Sequence, residues 1–268
     1  MTDNTTDRGD NDRMFGTFSY QKGGSVIRMM EAILTRKTFT RGLTSYLNDL
    51  QFNAATEDDL FYHLEAAAME DDQWPATNPS FSEVMKTWTN QAGIPVVSAS
   101  SVSGVVTLTQ DWLVSTGAAP DQRTWHIPIS LTSVEESPSP GWNNTQPYAW
   151  LLQDQDSLEL DVSGLWSQDT PFIVNVQGTG YYRVNYDEDN WSRLAETLAT
   201  DRDLIHPLNR AQIICDVSAL AETGHVTPEI RDNVLAYIDQ ETDFAATYAY
   251  QQCAGGFRDE EGWDSLMI

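Results

Sequence analysis

The sequence predicts a mixed α+β chain of several parts: a helical segment, an antiparallel β-sandwich and a second helical segment. Three observations support this fold class. Apolar residues recur at helical spacing up to about residue 93, short Val- and Thr-rich runs follow up to about residue 186, and helical spacing then returns. With 268 residues, the chain is long enough for one large domain or two of ordinary size.

The first part, residues 15–93, is predicted to form four helices behind a polar, disordered leader at residues 1–14. An apolar stripe between Val26 and Leu34 follows the i, i+3, i+4, i+7 rule of an amphipathic helix, and a second stripe begins at Phe39. The third and fourth helices follow capping-box pairs, which are Thr56 with Asp59 and Ser80 with Glu83.

The second part, residues 94–186, has the residue pattern of β-strands. It begins with the run "IPVVSASSVSGVVTLTQDWL", and shorter runs such as "TWHIPISLTSV", "SLELDV", "PFIVNV" and "GYYRVNY" follow. Clusters of Pro, Gly, Asn and Asp separate these runs. This rhythm predicts an antiparallel sandwich of about seven strands.

The third part, residues 187–268, returns to helical spacing. The helices are predicted in "NWSRLAETLATD", in "PLNRAQIICDVSALAETG", which ends at Gly224, and in "TPEIRDNVLAYIDQ", which has Pro228 in its first turn. From Gln251 onward the period is lost, and this end is predicted to fray.

The charge of the chain is strongly acidic, with 40 acidic residues against 15 basic ones and a formal net charge of −25. Such a field repels phosphate backbones, which excludes nucleic acid as a partner. It can attract cationic peptides, although solubility alone accounts for the charge.

The two cysteines, Cys215 and Cys253, are too few for a disulfide framework or a Cys-rich zinc site, and Cys215 is expected to be a small buried apolar residue. No signal-peptide core and no run of membrane-spanning length is visible. As read, the chain is therefore expected to be cytoplasmic.

Four stretches resemble, in order, signature stretches of zinc aminopeptidases of the aminopeptidase N type: "FSYQKGGSVIRMM", "FSEVMKTWTNQAGIPVV", "GYYRVNYDEDNW" and "LNRAQIICDVSALAETG". The resemblance implies that residues 15–93 are the end of a thermolysin-like catalytic domain and residues 94–186 its following β-sandwich domain. Residues 187–268 would be the first helices of a C-terminal, solenoid-like helical domain.

The resemblance also implies a role for Tyr20. In the family, the Tyr of this stretch hydrogen-bonds the oxyanion of the tetrahedral intermediate during peptide cleavage, a role for which a neutral phenol is suited. The family binds zinc through H-E-x-x-H and a later Glu. This sequence has His only at 63, 126, 206 and 225, so the motif is missing and no cofactor is expected in this chain by itself.

An improvised metal site at His63, Glu65 and Asp71 is not expected, because His63 and Glu65 point to different faces of a helix. His126 is predicted to be a half-exposed strand residue, and His206 and His225 to lie in loops. Two short patterns, at Asn143 and Asn190, fit the glycosylation acceptor N-x-[ST] but also recur by chance.

The predicted function is that of a partial family member. The family removes N-terminal residues from peptides, and this chain is expected to be catalytically silent by itself because the zinc segment is missing. Three alternatives remain open: an acidic interaction module without enzymatic activity, a half-enzyme completed by a partner chain that carries the zinc site, and a piece of a longer gene product. Family members include cytosolic enzymes, plasma-membrane enzymes and extracellular ones.

Overall fold

The computed structural model describes residues 17–75, 77–114, 123–135 and 141–255. The predicted leader, residues 1–14, and residues 256–268 of the end that was predicted to fray lie outside the described residues. The order of helices, strands and helices confirms the predicted α+β class. The helices are α1 (Thr17–Asp49), α2 (Glu57–Glu70), α3 (Phe81–Thr89), α4 (Glu188–Asp201), α5 (Pro207–Glu222), α6 (Pro228–Leu235) and α7 (Phe244–Ala249).

Helix α1 contains the first two predicted helices, separated by a break at Thr35. The backbone of Thr35 has φ 65° and ψ 150°, which is far from helical. The apolar residues of the first stripe are buried. Asp71 stabilises the turn after the break, because it accepts a hydrogen bond from the Thr38 hydroxyl at 2.7 Å and forms an ion pair with Arg41 at 3.0 Å. The hydrogen bond from Thr38 and then the charge of Arg41 keep the pKa of Asp71 below its ordinary value.

The two predicted capping boxes are confirmed at the starts of α2 and α3. Thr56 and Asp59 exchange side-chain and backbone hydrogen bonds at the start of α2, and Ser80 and Glu83 do the same for α3. Each box satisfies backbone N–H groups that have no partner within the helix.

The strands within the described ranges form one sheet of four strands and two antiparallel pairs. The large sheet has the order β6-β2-β1-β8, and the pairs are β3 with β5 and β4 with β7. The strands are β1 (Pro95–Val102), β2 (Val105–Trp112), β3 (Ile127–Ile129), β4 (Leu131–Ser133), β5 (Ala149–Leu151), β6 (Leu158–Asp161), β7 (Phe172–Val174) and β8 (Arg183–Tyr186).

One pairing differs from the antiparallel arrangement that the sequence predicts. Strand β8 runs parallel to β1, with Val96 opposite Arg183. The other strands intervene in sequence between β1 and β8, and such a long connection allows β8 to return in the same direction. Apolar runs alone do not indicate strand direction, so the sequence pattern misses this pairing.

The C-terminal helices pack around α5, which is buried on most of its circumference. Gly224, with φ 80°, lies just after the end of α5, as predicted. The N–H of the next residue, His225, donates to the carbonyl of Leu220 at 2.8 Å. Helix α6 ends at Leu235, earlier than the predicted run, and α7 continues into a π-helical segment, Tyr250–Ala254.

The expectation for the cysteines is wrong. Cys215 is buried, as expected, but it forms a disulfide with Cys253, and the two Cα atoms are 5.1 Å apart. The bond connects α5 to the π-helical segment, which therefore does not fray as predicted. Only the folding back of α7 onto α5 brings the two residues together, and a separation of 38 residues in sequence does not reveal it.

Candidate functional site

Tyr20 lies in the first turn of α1, and 67% of its surface is exposed. Among the described residues, none forms a hydrogen bond with its hydroxyl. Gly23 and Gly24 follow one turn later on the same helix, and a Cβ added at either would meet nothing within 4 Å. Ile27, two turns after Tyr20, is also exposed. The phenol therefore stands on an open strip of α1.

Two cations beside this strip fix α1 to the segment after α3 and to the segment after β7. The Lys22 ammonium is buried, donates to the Gln91 carbonyl at 2.8 Å and lies 5.9 Å from the ring centre of Tyr181. Arg28 donates to the carbonyls of Gly178 at 2.6 Å and Gln177 at 2.9 Å. Burial lowers the pKa of both cations. These bonds determine the orientation of the helix that carries Tyr20.

A groove of about 610 Å³ begins next to Arg28 and extends to α5 and α7. Its lining includes the six residues Arg28, Gln177, Tyr181, Gln212, Asp216 and Tyr248. Tyr20 is not part of this lining. The strip around Tyr20 and the groove are therefore separate surfaces that share only helix α1.

A buried ion pair connects β8 to α5 beneath the groove. Arg183 Nη1 lies 3.1 Å from Asp216 Oδ1, and the N–H of Val184 donates to Asp216 Oδ2 at 3.0 Å. Burial raises the pKa of Asp216, against the opposing effects of Arg183 and of the Val184 N–H. The sequence does not predict this pair, because two single charges that lie far apart in the chain form no recognisable spacing pattern. Both residues nevertheless lie in stretches that resemble the aminopeptidase family.

The residues considered for an improvised metal site do not converge. His63 is buried, with Nδ1 3.0 Å from the Ser45 hydroxyl and Nε2 3.9 Å from a carboxylate oxygen of Asp49. Asp71 is instead committed to Thr38 and Arg41 at the break in α1. Among the described residues, no hydrogen bond or ion pair joins Glu65 to His63 or Asp71, and no cluster of His, Cys, Asp and Glu could hold a metal ion.

The other histidines occupy separate structural positions. His126 directly precedes β3 and is half-buried, and its Nδ1 accepts from the N–H of Gln153 at 3.2 Å. His206 is the N-cap of α5 rather than a plain loop residue, because its Nδ1 accepts from the N–H of Leu208 at 3.3 Å. Burial lowers the pKa of both imidazoles. His225 follows the end of α5 and contacts the Thr223 hydroxyl at 2.9 Å.

The two glycosylation candidates have opposite environments. Asn143 lies in an exposed turn before β5. Asn190 is 0% exposed, and its side-chain amide exchanges hydrogen bonds with the backbone N–H and carbonyl of Phe172 at 3.1 and 3.0 Å.

In comparison with known proteins, two parts of the chain match family models. Residues 1–88 match the peptidase family M1 domain, and residues 171–260 match the ERAP1-like C-terminal domain. Aminopeptidase N of Plutella xylostella is 36% identical over 234 residues, which are 86% of this chain and 24% of that protein. Membrane alanyl aminopeptidase of Manduca sexta is 35% identical over 236 residues, which are 86% of this chain and 23% of that protein.

A mammalian relative gives the same result. Aminopeptidase N of Rattus norvegicus is 31% identical over 239 residues, which are 86% of this chain and 23% of that protein. These matches, together with the order of helices and strands, identify the chain as a homologue of metallopeptidases. The chain belongs to the M1 peptidase family, and its relatives are of the aminopeptidase N type. It spans less than a quarter of the length of these curated relatives.

No helix in the described part of the chain combines the length and the apolar character needed to cross a membrane. The M1 family is zinc-dependent. The described residues do not fit a zinc ion, because each histidine is engaged in a different part of the fold and no group of ligands converges.

Proposed function

We propose that this chain provides the tyrosine-bearing helix, and the strand and helical regions that orient it, for the removal of N-terminal residues from peptides. Its substrates would be peptides with a free N-terminus. The observation that carries the proposal is Tyr20, a phenol on an exposed strip of α1 whose hydroxyl forms no hydrogen bond with any described residue.

The chemical role of Tyr20 would be to donate its O–H to the oxygen that becomes negatively charged when water adds to the peptide carbonyl. A neutral donor suits this role because it can approach the scissile carbonyl before charge develops. Removal of one such preorganised donor costs about 2.7 to 4 kcal/mol of transition-state stabilisation.

The placement of α1 supports this role. Lys22 and Arg28 hold the first turns of the helix to the carbonyls of Gln91, Gln177 and Gly178, so the position of the backbone that carries the phenol depends on residues far away in sequence. A donor that is already oriented avoids reorganisation during the reaction. Gly23 and Gly24, one turn after Tyr20, leave open space on the surface of α1, where an extended peptide can lie.

The ion and the general base would come from a zinc-bearing segment that this sequence does not contain. We therefore propose that the 268-residue chain does not hydrolyse peptides by itself. Turnover of an aminoacyl reporter substrate by the purified chain with added zinc would contradict this part of the proposal. An acidic interaction module would be silent in the same assay, so a second experiment is needed.

A chimaera distinguishes the two functions. In the Plutella xylostella aminopeptidase N, the 234 aligned residues are replaced by those of this chain, and Tyr20→Phe is compared with Tyr62→Phe, which alters an equally exposed tyrosine on α2. We expect Tyr20→Phe to lower kcat about 10²- to 10³-fold with little change in KM, and Tyr62→Phe to leave both unchanged. Equal rates for the two variants would refute the role of Tyr20 and leave the interaction module.

A further inference from the structure

The turn that carries Asn143 is held by hydrogen bonds to the two residues that precede it, Gly141 and Trp142. The N–H of Gly141 donates to the Thr132 hydroxyl at 3.1 Å, and Gln177 Nε2 donates to the carbonyl of Trp142 at 2.9 Å. Asn143 itself is exposed, and within the described ranges no residue forms a hydrogen bond with its side chain. The fold therefore presents the Asn143 amide to solvent, directly after two residues that are hydrogen-bonded to the strand region.

The sequence around this amide is an acceptor for N-linked sugar. Asn143, Asn144 and Thr145 fit the pattern N-x-[ST], and the middle residue is not proline. A bulky glycan is tolerated only where the acceptor faces solvent. The second pattern fails this condition, because Asn190 is fully buried and its amide is bonded to the backbone of Phe172 on both sides.

A second, independent observation indicates the compartment in which such a transfer takes place. Cys215 and Cys253 form a disulfide between α5 and the π-helical segment Tyr250–Ala254. Disulfides form and persist in the oxidising secretory pathway and outside the cell, and are rare where thiols are kept reduced. N-linked sugar is a mark of the same route. The disulfide and the exposed acceptor lie on different parts of the fold and do not depend on each other.

We propose that Asn143 carries an N-linked glycan, that Asn190 does not, and that the chain is oxidised at Cys215 and Cys253 on the secretory route. This replaces the cytoplasmic interpretation of the sequence, and it does not depend on the proposed peptidase role. In the transfer, the Asn143 amide nitrogen forms a bond to the anomeric carbon of a lipid-diphosphate-linked oligosaccharide. The carbon–oxygen bond to the diphosphate breaks, and the amide loses a proton.

The oxidation is balanced in the same way. Each cysteine thiol loses one proton and one electron as the sulfur–sulfur bond forms. The two electrons and two protons reduce the disulfide of a thiol–disulfide oxidoreductase to a dithiol.

The test begins with the protein isolated from its own cells. It is treated with an amidase that removes N-linked glycans in ¹⁸O-water, which converts each glycosylated Asn to ¹⁸O-labelled Asp, and its peptides are then analysed by mass spectrometry. We expect the label at Asn143 and an unmodified Asn190. Non-reducing peptide mapping should show the Cys215 and Cys253 peptides linked. An unmodified Asn143, a label at Asn190 or alkylatable thiols at both cysteines would each overturn the proposal.

Matched variants at Thr145 and Ser192 identify which asparagine carries the glycan, and they leave both asparagines in place. In the same cells, Thr145→Ala removes the acceptor pattern at Asn143 and Thr145→Ser preserves it, while Ser192→Ala removes the pattern at Asn190 on an exposed residue. We expect the glycan-dependent shift in gel mobility to disappear only in Thr145→Ala. A shift that persists in Thr145→Ala or disappears in Ser192→Ala would refute the assignment to Asn143.

Discussion

Arg183 and Asp216 place a full charge pair in the interior, where they are 3% and 2% exposed. Each charge is costly to bury by itself, and the pair is tolerable because the carboxylate also accepts from the Val184 N–H and from Gln212 Nε2 at 3.1 Å. A carboxylate that connects a strand to a helix in this way specifies how β8 lies on α5. Such an arrangement makes the interior sensitive to the loss of one partner.

Asp216→Asn tests this sensitivity. The substitution keeps the shape of the side chain but removes the negative charge opposite a buried guanidinium, and we expect it to lower the free energy of unfolding by about 3–5 kcal/mol. The control is Asp203→Asn, which alters an exposed partner of Arg210 at 3.7 Å and should cost less than about 1 kcal/mol. Guanidinium chloride unfolding measures both, and equal losses would show that burial of the pair is unimportant.

The capping residues show that the start of a helix can be predicted from a few neighbouring residues in the sequence. Thr56 with Asp59 and Ser80 with Glu83 predict the starts of α2 and α3 correctly, because a capping box is complete within four residues of sequence. Tyr20 is found only through the resemblance of its stretch, since an exposed tyrosine has no spacing signal of its own. Its role in the reaction remains a prediction.

At the scale of elements, the break in α1 at Thr35 determines how the first helical part folds back. With φ 65° and ψ 150°, Thr35 adopts a conformation that is almost restricted to glycine. Its hydroxyl lies 3.5 Å from the N–H of Thr38, as in a weak N-cap of the second half of the helix. The sequence predicts two helices here but does not indicate that a threonine takes the strained position.

Thr35→Gly should therefore stabilise the protein. Relief of the strained backbone contributes about 1–3 kcal/mol. The opposing losses are a few tenths from the cap and about 0.5–1 kcal/mol from the greater freedom of the unfolded chain, so we expect a net stabilisation of up to about 2 kcal/mol. The matched control is Thr40→Gly, on an exposed position inside the second half of α1, which should destabilise by about 0.3–0.5 kcal/mol because Gly is a weaker helix former than Thr. If thermal unfolding shows Tm decreasing in both variants, the strain at Thr35 is not real.

A second connection between elements depends on pH. Glu241 accepts two hydrogen bonds from Arg210 of α5, at 2.7 and 3.1 Å, and two more from the N–H groups of Thr242 and Asp243. Burial by itself would raise the pKa of Glu241, but the hydrogen bonds from Arg210 and from these N–H groups outweigh it and hold the pKa below its ordinary value. A lowered pKa in the folded state means that the stabilisation is present above the unfolded pKa and is lost as pH falls through the folded one.

We expect Glu241→Gln to reveal this dependence. At pH 7 the variant should be less stable than the unmodified chain by about 3–5 kcal/mol. The difference should begin to shrink below about pH 4, near the ordinary pKa of Glu, and continue to shrink as the pH falls through the lowered pKa of Glu241 in the folded chain. Urea unfolding between pH 3 and 7 measures the difference. Glu229→Gln, on the exposed first turn of α6, should give only a small difference at pH 7. A difference for Glu241→Gln that stays constant between about pH 3 and 7 would contradict the linkage.

At the scale of the whole molecule, the order of helices, strands and helices is predictable because periodicity is a local property. The parallel pairing of β1 with β8 and the disulfide between Cys215 and Cys253 are not predictable in this way, because both depend on where distant segments meet. The same is true of the hydrogen bonds that Lys22 and Arg28 donate, because their acceptors lie 69 and 150 positions further along the sequence. The surroundings of Tyr20 are therefore a product of the fold rather than of its own stretch.

The disulfide is a covalent constraint on the C-terminal end of the described fold. It closes a loop with a sequence separation of 38, for which the chain-entropy estimate is about 3–4 kcal/mol. We expect Cys253→Ala to lower the free energy of unfolding by about 2–4 kcal/mol, and a reductant to destabilise the unmodified chain by a similar amount. Because the variant has no bond to break, its denaturant midpoint should not change when reductant is added. A midpoint for the unmodified chain that is also insensitive to reductant would mean that the cysteines are not bonded in solution.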